Sequence, residues 1–487
     1  MMYLAVLSAA LILVLTFGVS LAFFLSCIFE REHRAAIVGG GQVLGALILL
    51  AFLVYLAASD FFHKPWALFL LVLFDVACVL GAWLLFRKTA SNPRALRGAA
   101  GLIHGEVKRT DERGIVFARK NFLAPGSEAY RTFYREHPDF ESSDARRRTL
   151  GGPLDGTIDR PYESLNRAAA FASQQLTGFL AVNPAIKPKA HTKMKDLRID
   201  LSPDQASAGI KGYARHLGAD LVGIAEINPL WCYSHRGMIK RGNEDDWGRE
   251  IAVNHRFAVV IATEMAFETV VSSPRTPNTV ESIFGYAKGA FVATQLAAYI
   301  SNIGYSATTN INQHYEALMV PLAVDAGLGE LGRMGYLITR EFGPRIRLAA
   351  VTTDLPLLPD KPVDIGVEDF CRICKKCAVC CPSRSIPSGD QAVVNGTLRW
   401  KLNAETCYEY WGKAGTDCNV CMRVCPWSHA RTIPHQLIVY MVSRNAWARR
   451  LFTIMDDLYY GRKPKHRAGP AWAEIKAPAK RESATPE

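Results

Sequence analysis

Cysteine is nearly missing from most of the chain: only Cys27, Cys78 and Cys232, of 12 in all, lie outside residues 371–425. A disulfide scaffold would spread its crosslinks over the domain it holds, so that class is excluded. No tandem repeat is present, which excludes a solenoid or propeller. The glycine-rich run Ala326–Gly335 has no Walker lysine and does not lead from a strand into a helix, which argues against a dinucleotide or P-loop site. Glycine and proline, at 37 and 25 residues, are near ordinary usage, so the chain is neither fibrous nor wholly disordered. The net charge of +12 is scattered, and no recognition helix or aromatic-basic module organises it. We expect no nucleic-acid partner. Such a charge suits an acidic protein surface or anionic lipid.

What is present begins with three apolar runs, roughly residues 3–29, 36–58 and 65–86, each long enough to cross a bilayer of about 30 Å. Charged breaks at Glu30–Arg34 and Asp60–Lys64 separate them. The first run lacks the basic leader of a signal peptide, and no twin-arginine pair precedes it. We therefore read 1–88 as a three-helix anchor in the lipid bilayer. Arg31 and Arg34 mark the first loop, and Arg87, Lys88, Arg94, Arg97, Lys108 and Arg109 follow the third run. The positive-inside rule then puts the N-terminus outside and the C-terminal part in the cytoplasm, giving a multi-pass protein of the inner (cytoplasmic) membrane.

Residues 89–200 read as a linker that wraps the following domain. From Ser202 the pattern becomes regular. Ser202-Pro203-Asp204-Gln205 is a capping-box helix start, with the helix running to about Leu217. Leu221–Ala225, Phe257–Thr263 and Ile346–Thr352 predict buried strands, and a helix is expected from about Val280 to Ile303. Helices alternating with buried strands predict an α/β or α+β domain over 201–365.

The cysteines then arrive in order: Cys371-x₂-Cys374-x₂-Cys377-x₃-Cys381-Pro382, and Cys407-x₁₀-Cys418-x₂-Cys421-x₃-Cys425-Pro426. This is the interlocked spacing of a bacterial two-[4Fe-4S] ferredoxin-like domain, over 366–430. Three closely spaced thiolates and one remote thiolate serve each cluster. Cys371, Cys374, Cys377 and Cys425 are expected to hold one, and Cys407, Cys418, Cys421 and Cys381 the other. Cys380 is left over. Structural zinc is the alternative for any cysteine group, and eight ligands in this order make it a poor choice. Residues 431–470 predict helices packing back on the catalytic unit, with Trp427 and Trp447 as pocket walls. Residues 471–487 read as a disordered tail.

The ordered combination Gly218–Gly223, Trp231-Cys232-Tyr233-Ser234, Ala326–Gly335, Arg345 and the cysteine cassette resembles the corrinoid- and iron–sulfur-dependent reductive dehalogenases over roughly residues 115–465. The resemblance implies an α+β architecture: N-terminal transmembrane helices, a nitroreductase-like corrinoid-binding domain and the two-cluster domain. It implies a cobalamin-type corrinoid bound base-off, and the absence of an Asp-x-His-x-x-Gly motif agrees with that. It implies an acid Tyr286 with Arg345 and Asn312 as partners, Asn310 being a close competitor of Asn312. Gly327, Gly329, Gly332 and Arg333 are expected at the cofactor, and Trp231 and Tyr233 in the substrate pocket. A cation beside a tyrosine favours its phenolate, which suits a reaction that protonates carbon and expels halide. The implied activity is replacement of a carbon-bound halogen by hydrogen, on a halogenated phenol or other organohalide. An external one-electron donor such as ferredoxin, flavodoxin or a membrane redox protein is expected. Two features depart from the family: three fused spans, and no twin-arginine leader, which implies a cytoplasmic catalytic part. The rivals are a reductase resembling the epoxyqueuosine reductases, and a non-catalytic membrane electron-transfer protein.

Overall fold

The run Phe257–Thr263 has almost no polar alternation, so a strand made from it needs cover on both faces. The computed structural model, which describes residues 2–59, 61–155, 163–181, 185–186, 198–239 and 244–475, provides that cover. Strands β1 (Ala185–Ile186), β2 (Leu221–Glu226), β3 (Phe257–Glu264), β4 (Ala307–Asn310) and β7 (Ile346–Thr353) form one sheet, ordered β1-β4-β7-β3-β2. Every neighbouring pair in it is antiparallel. The short strands β5 (Glu330–Leu331) and β6 (Leu337–Ile338) pair separately.

Alternation along β3 divides the core in two. Val259 and Ile261 meet Leu296 and Ile300 of the helix Thr276–Asn302. Ala258, Val260 and Ala262 meet Leu322 and Ala323 of the helix Met319–Asp325. Each fully buried valine, leucine or isoleucine contributes about 1.5–3 kcal/mol. The expected strands and both expected helices are present within a few residues, and Ser202 and Gln205 form the reciprocal capping box. Strand β4 was not anticipated, because Ala-Thr-Thr-Asn is short and polar.

The chain separates into two compact units. One comprises residues 1–92, 364–374 and 429–464; the other comprises 93–363, 375–428 and 465–487. Most of the cysteine cassette belongs to the same unit as the sheet, and the helices Ile433–Arg444 and Ala446–Tyr460 group with the apolar N-terminal helices. Ala471–Glu474 is a turn of 3-10 helix whose Glu474 pairs with Arg275 at 2.8 Å. Residues 476–487 lie outside the described residues.

In the first unit, α1 (Met2–Phe29), α2 (His33–Ala58) and α3 (Pro65–Phe86) have mean hydropathies of 2.6, 2.3 and 2.6 over their most apolar windows. Their exposed faces carry Leu4, Leu11, Ile37 and Phe69, a surface suited to lipid. Asn445 is fully buried and caps twice. Its Nδ2 donates to the carbonyls of Leu84 and Arg87 at the end of α3, and its Oδ1 accepts from the N–H groups of Trp447 and Ala448. The Arg34 guanidinium donates to the Leu458 carbonyl at 3.2 Å. The first loop and the end of α3 therefore lie on one side of the three-helix anchor, against the same pair of helices.

Candidate active site and cysteine cavity

The helix Thr276–Asn302 lies across β3 and β7, and glycine sets how closely. A Cβ on Gly285 would stand 3.0 Å from the Arg347 Cγ, and one on Gly289 would stand 3.3 Å from the Ala349 Cβ. Thr263 Oγ1 donates to the Gly285 carbonyl at 2.9 Å and ties the helix to β3. Tyr286 follows immediately, and the Arg347 guanidinium sits 5.1 Å from the centre of its ring. Arg347 also donates to Ser282 Oγ at 2.7 Å and lies 3.6 Å from Asp417. Burial opposes its charge, yet Tyr286 and Asp417 hold its pKa above the ordinary guanidinium value.

The expected partner Arg345 is placed elsewhere. It donates to the Ser428 carbonyl at 2.8 Å and to Glu264 at 2.9 Å, and also binds the Met265 carbonyl. The arginine beside the Tyr286 ring is Arg347. The two arginines are two residues apart and alternate onto the same side, so the chain pattern alone does not separate them. The close approach at Gly285 does. The two candidate asparagines lie in different surroundings. Asn310 ends β4 fully buried, and its Oδ1 accepts from the Glu316 N–H at 2.7 Å. Asn312 is half-buried in the tight turn that joins Ile311 to His314.

Around the segment 315–318 the structure gathers Tyr315 and Arg236, which the sequence reading passed over, beside the expected Trp231 and Tyr233. Tyr315 donates to the Leu348 carbonyl at 3.1 Å, and burial, then Tyr286 and Tyr233, push its pKa well up. Tyr233 N–H donates to the Glu316 carbonyl, Leu318 N–H to the Trp231 carbonyl, and Arg236 to the Tyr315 carbonyl. Burial raises the Tyr233 pKa as well. Three buried donors in this group, Trp231 Nε1, Arg236 Nε and Asn310 Nδ2, have no hydrogen-bond partner among the described residues. Buried donors in that state call for a ligand or water.

The glycine run packs closely against the chain itself. A Cβ on Gly329 would strike the Ile338 carbonyl, one on Gly332 the Ile338 side chain, and one on Gly327 the Lys361 carbonyl. These glycines let β5 and β6 close on the protein itself. Arg333 donates to the carbonyls of Pro387 and Gly389 at 2.7 Å and lies over the Trp400 ring. It therefore holds the loop after Cys381. Trp427 is buried, and Trp447 is 60% exposed on its helix.

Cys381, Cys407, Cys418 and Cys421 line one cavity with Tyr336, Trp411, Asp417 and Asn419. The loop that brings two of them inward is held in a strained form: Cys418 and Asn419 both have positive φ, at 61° and 51°. Asp417 fixes that loop to the long helix. It accepts from Asn278 and Thr279 at 2.9 Å, and from Asn419 at 2.7 Å. Cys381 Sγ accepts from the Ser385 N–H at 3.3 Å. Burial, then the neighbouring thiols, pushes Cys407 up to about 11 and Cys418 to about 12, and raises Cys421 well above the ordinary thiol value. Three such thiols side by side ionise together only around a cationic centre. Their sulfurs do not crowd into the shell of a single ion; among the described residues, only Glu30, His429 and His435 bring three donors within 4.8 Å of one another. Tyr336 joins the two regions: burial raises its pKa, followed by Cys421 and Cys407 on one side and Tyr286 on the other. Of the second set, Cys371 and Cys374 lie on the helix Val367–Cys374 in one unit, while Cys377 and Cys425 belong to the other; all four are buried.

The chain is 34% identical over 279 residues to a tetrachloroethene reductive dehalogenase of Desulfitobacterium hafniense, covering 48% of this chain and 50% of that protein. It is 32% identical over 292 residues to the tetrachloroethene reductive dehalogenase of Sulfurospirillum multivorans, covering 54% and 58%. The solved structure of the catabolic reductive dehalogenase NpRdhA superposes with a TM-score of 0.60 at 27% identity, covering 77% of this chain and 49% of that one. No family model matches the chain. It spans about half the length of the curated relatives it matches.

Proposed function

We propose that the chain is a membrane-anchored reductive dehalogenase that carries out R–X + 2e⁻ + H⁺ → R–H + X⁻. The observation that carries this reading is the placement of Tyr286 against Arg347, joined through Asp417 and Tyr336 to a cavity walled by four cysteines. A solved relative is described as carrying out B12-dependent dehalogenation, and the partnerless donors Trp231 Nε1, Arg236 Nε and Asn310 Nδ2 suit the amide-rich rim of such a corrinoid. Cys381, Cys407, Cys418 and Cys421 would hold one [4Fe-4S] cluster, and by spacing Cys371, Cys374, Cys377 and Cys425 the other. When bound, the corrinoid supplies the low-valent reductant for the carbon–halogen bond, and the clusters supply electrons one at a time.

The protein's own side chains manage the proton and the charge. Tyr286 O–H is the donor for the carbon that loses its halogen. Arg347 stabilises the phenolate this leaves and offers positive charge near the departing halide. Ser282 and Asp417 keep the guanidinium from rotating away. Asp417 also fixes the Cys418–Cys421 loop, so one carboxylate orders both the acid and the cysteine cavity.

The ring-lined surroundings of Tyr233, Tyr286 and Tyr315 favour a halogenated phenol, and one solved relative is in complex with 3-bromo-4-hydroxybenzoic acid. The curated relatives are named for tetrachloroethene, so both classes belong in the assay. Arg31 and Arg34, on the same side as residues 87 onward, put the catalytic part in the cytoplasm, with an external one-electron donor. The test is halide release by the anaerobically reconstituted full chain with a chemical reductant. Halide should appear, and Tyr286→Phe should lower its rate at least a hundredfold while cofactor content holds. Equal rates in both proteins would remove the acid role, and no halide from either substrate class would remove the activity.

A further inference from the structure

The first unit holds a buried polar cluster that the dehalogenation chemistry does not use. Glu30 follows α1, His429 precedes the helix Ile433–Arg444, and His435 lies in that helix's first turn. One donor atom from each falls within 4.8 Å of the other two. His435 Nδ1 stands 3.4 Å from the Glu30 carboxylate, and both side chains are nearly inaccessible, at 6% and 4%. The two imidazoles are stacked with centroids 4.9 Å apart.

The surroundings resemble the outer ring of a metal centre. His429 Nε2 lies 2.7 Å from Asp456, and His435 Nε2 lies 2.9 Å from the Tyr460 hydroxyl. Histidines that bind metals usually engage a carboxylate or oxygen through one nitrogen, which fixes the ring and leaves the other nitrogen basic. Ser26 Oγ donates to Glu30 at 2.7 Å and also meets Thr432 Oγ1 at 2.8 Å, so the carboxylate is oriented as well. Thr432 Oγ1 is 2.7 Å from His435 Nδ1 and could turn toward Ser26 if that nitrogen were coordinated.

We propose that Glu30, His429 and His435 form a binding site for one divalent transition-metal ion of the zinc class. Two imidazoles and a carboxylate are a borderline donor set that favours such ions over calcium or magnesium. Bound there, the ion fastens the end of the first membrane helix to the C-terminal helix pair that also caps α3. The site contains no cysteine and is independent of the two clusters.

The test uses the full chain in detergent, purified without a histidine tag and loaded anaerobically with iron, corrinoid and zinc chloride, then dialysed. Metal analysis should find about one zinc per chain. Glu30→Gln and His435→Ala should each lose at least four-fifths of it while iron is retained. Zinc absent from an iron-loaded wild type, or unchanged in both variants, overturns the proposal. X-ray absorption at the zinc edge of the wild type needs no variant: nitrogen and oxygen neighbours support the site, and sulfur neighbours overturn it. Missing iron with zinc present counts against the cluster reading alone.

Discussion

Replacing Arg347 by glutamine removes one buried charge and keeps a donor for Ser282 Oγ, now 2.7 Å from the guanidinium. The guanidinium is 5.1 Å from the Tyr286 ring centre. Two unit charges about 5 Å apart at an effective dielectric of about 20 interact by about 3 kcal/mol. A phenolate forming at Tyr286 would lose that stabilisation, and each 1.36 kcal/mol is about a factor of ten in rate. Arg347→Gln should therefore slow halide release about a hundredfold. The substitution also leaves Asp417 buried without its cation, at a cost of up to about 3–5 kcal/mol in stability. The bonds from Asn278, Thr279 and Asn419 hold that cost toward the low end. The double variant Arg347→Gln/Asp417→Asn should recover much of the lost stability but none of the lost rate. The assay is anaerobic halide release per corrinoid, read beside thermal unfolding in the same detergent. Turnover of Arg347→Gln within threefold of wild type, with Arg345→Gln slowed a hundredfold, would refute the placement and restore Arg345 as the partner.

Cys421→Ser should lose about half of the iron, whereas Cys380→Ser should keep all of it; equal losses, by iron analysis, would break the ligand assignment. Asp325 is half-buried, and desolvation pushes its pKa up to about 6, against an accepted bond from the Ala99 N–H. A raised folded-state pKa contributes stability below the unfolded value, and this is lost as pH rises through the folded value. Asp325→Asn should therefore raise the Tm at pH 7.5, with the gain vanishing below about pH 4; a gain independent of pH would contradict the assignment. Asn445→Ala should lower stability by about 2 kcal/mol, because it removes one helix cap and strands two carbonyls at the end of α3. Chemical denaturation of the detergent-solubilised chain measures that.

Much of the architecture was legible because it rests on short-range pattern. Ser202 and Gln205 announce a helix through their own side chains, and Phe257–Thr263 announces a doubly covered strand through unbroken apolarity. Cys381, Cys407, Cys418 and Cys421, which the spacing groups as one set, line one cavity. What escaped was set by contacts distant in sequence. Arg347 differs from Arg345 only by meeting Gly285, some sixty positions earlier. The glycines of 327–332 read as space for a ligand, and that space is filled by Ile338 and Lys361 of the chain itself. The grouping of residues 433–460 with the membrane helices turns on Asn445 reaching the carbonyls of Leu84 and Arg87, a pairing no local motif encodes.

The central claim is that thiols and buried donors in this chain enclose an iron–sulfur and corrinoid pair, and metal content tests it most directly. Full-length protein reconstituted without oxygen should carry about eight iron and about one cobalt per chain, both lost together on unfolding. Protein that takes up its iron, stays folded and binds no corrinoid at saturating concentration would contradict the account.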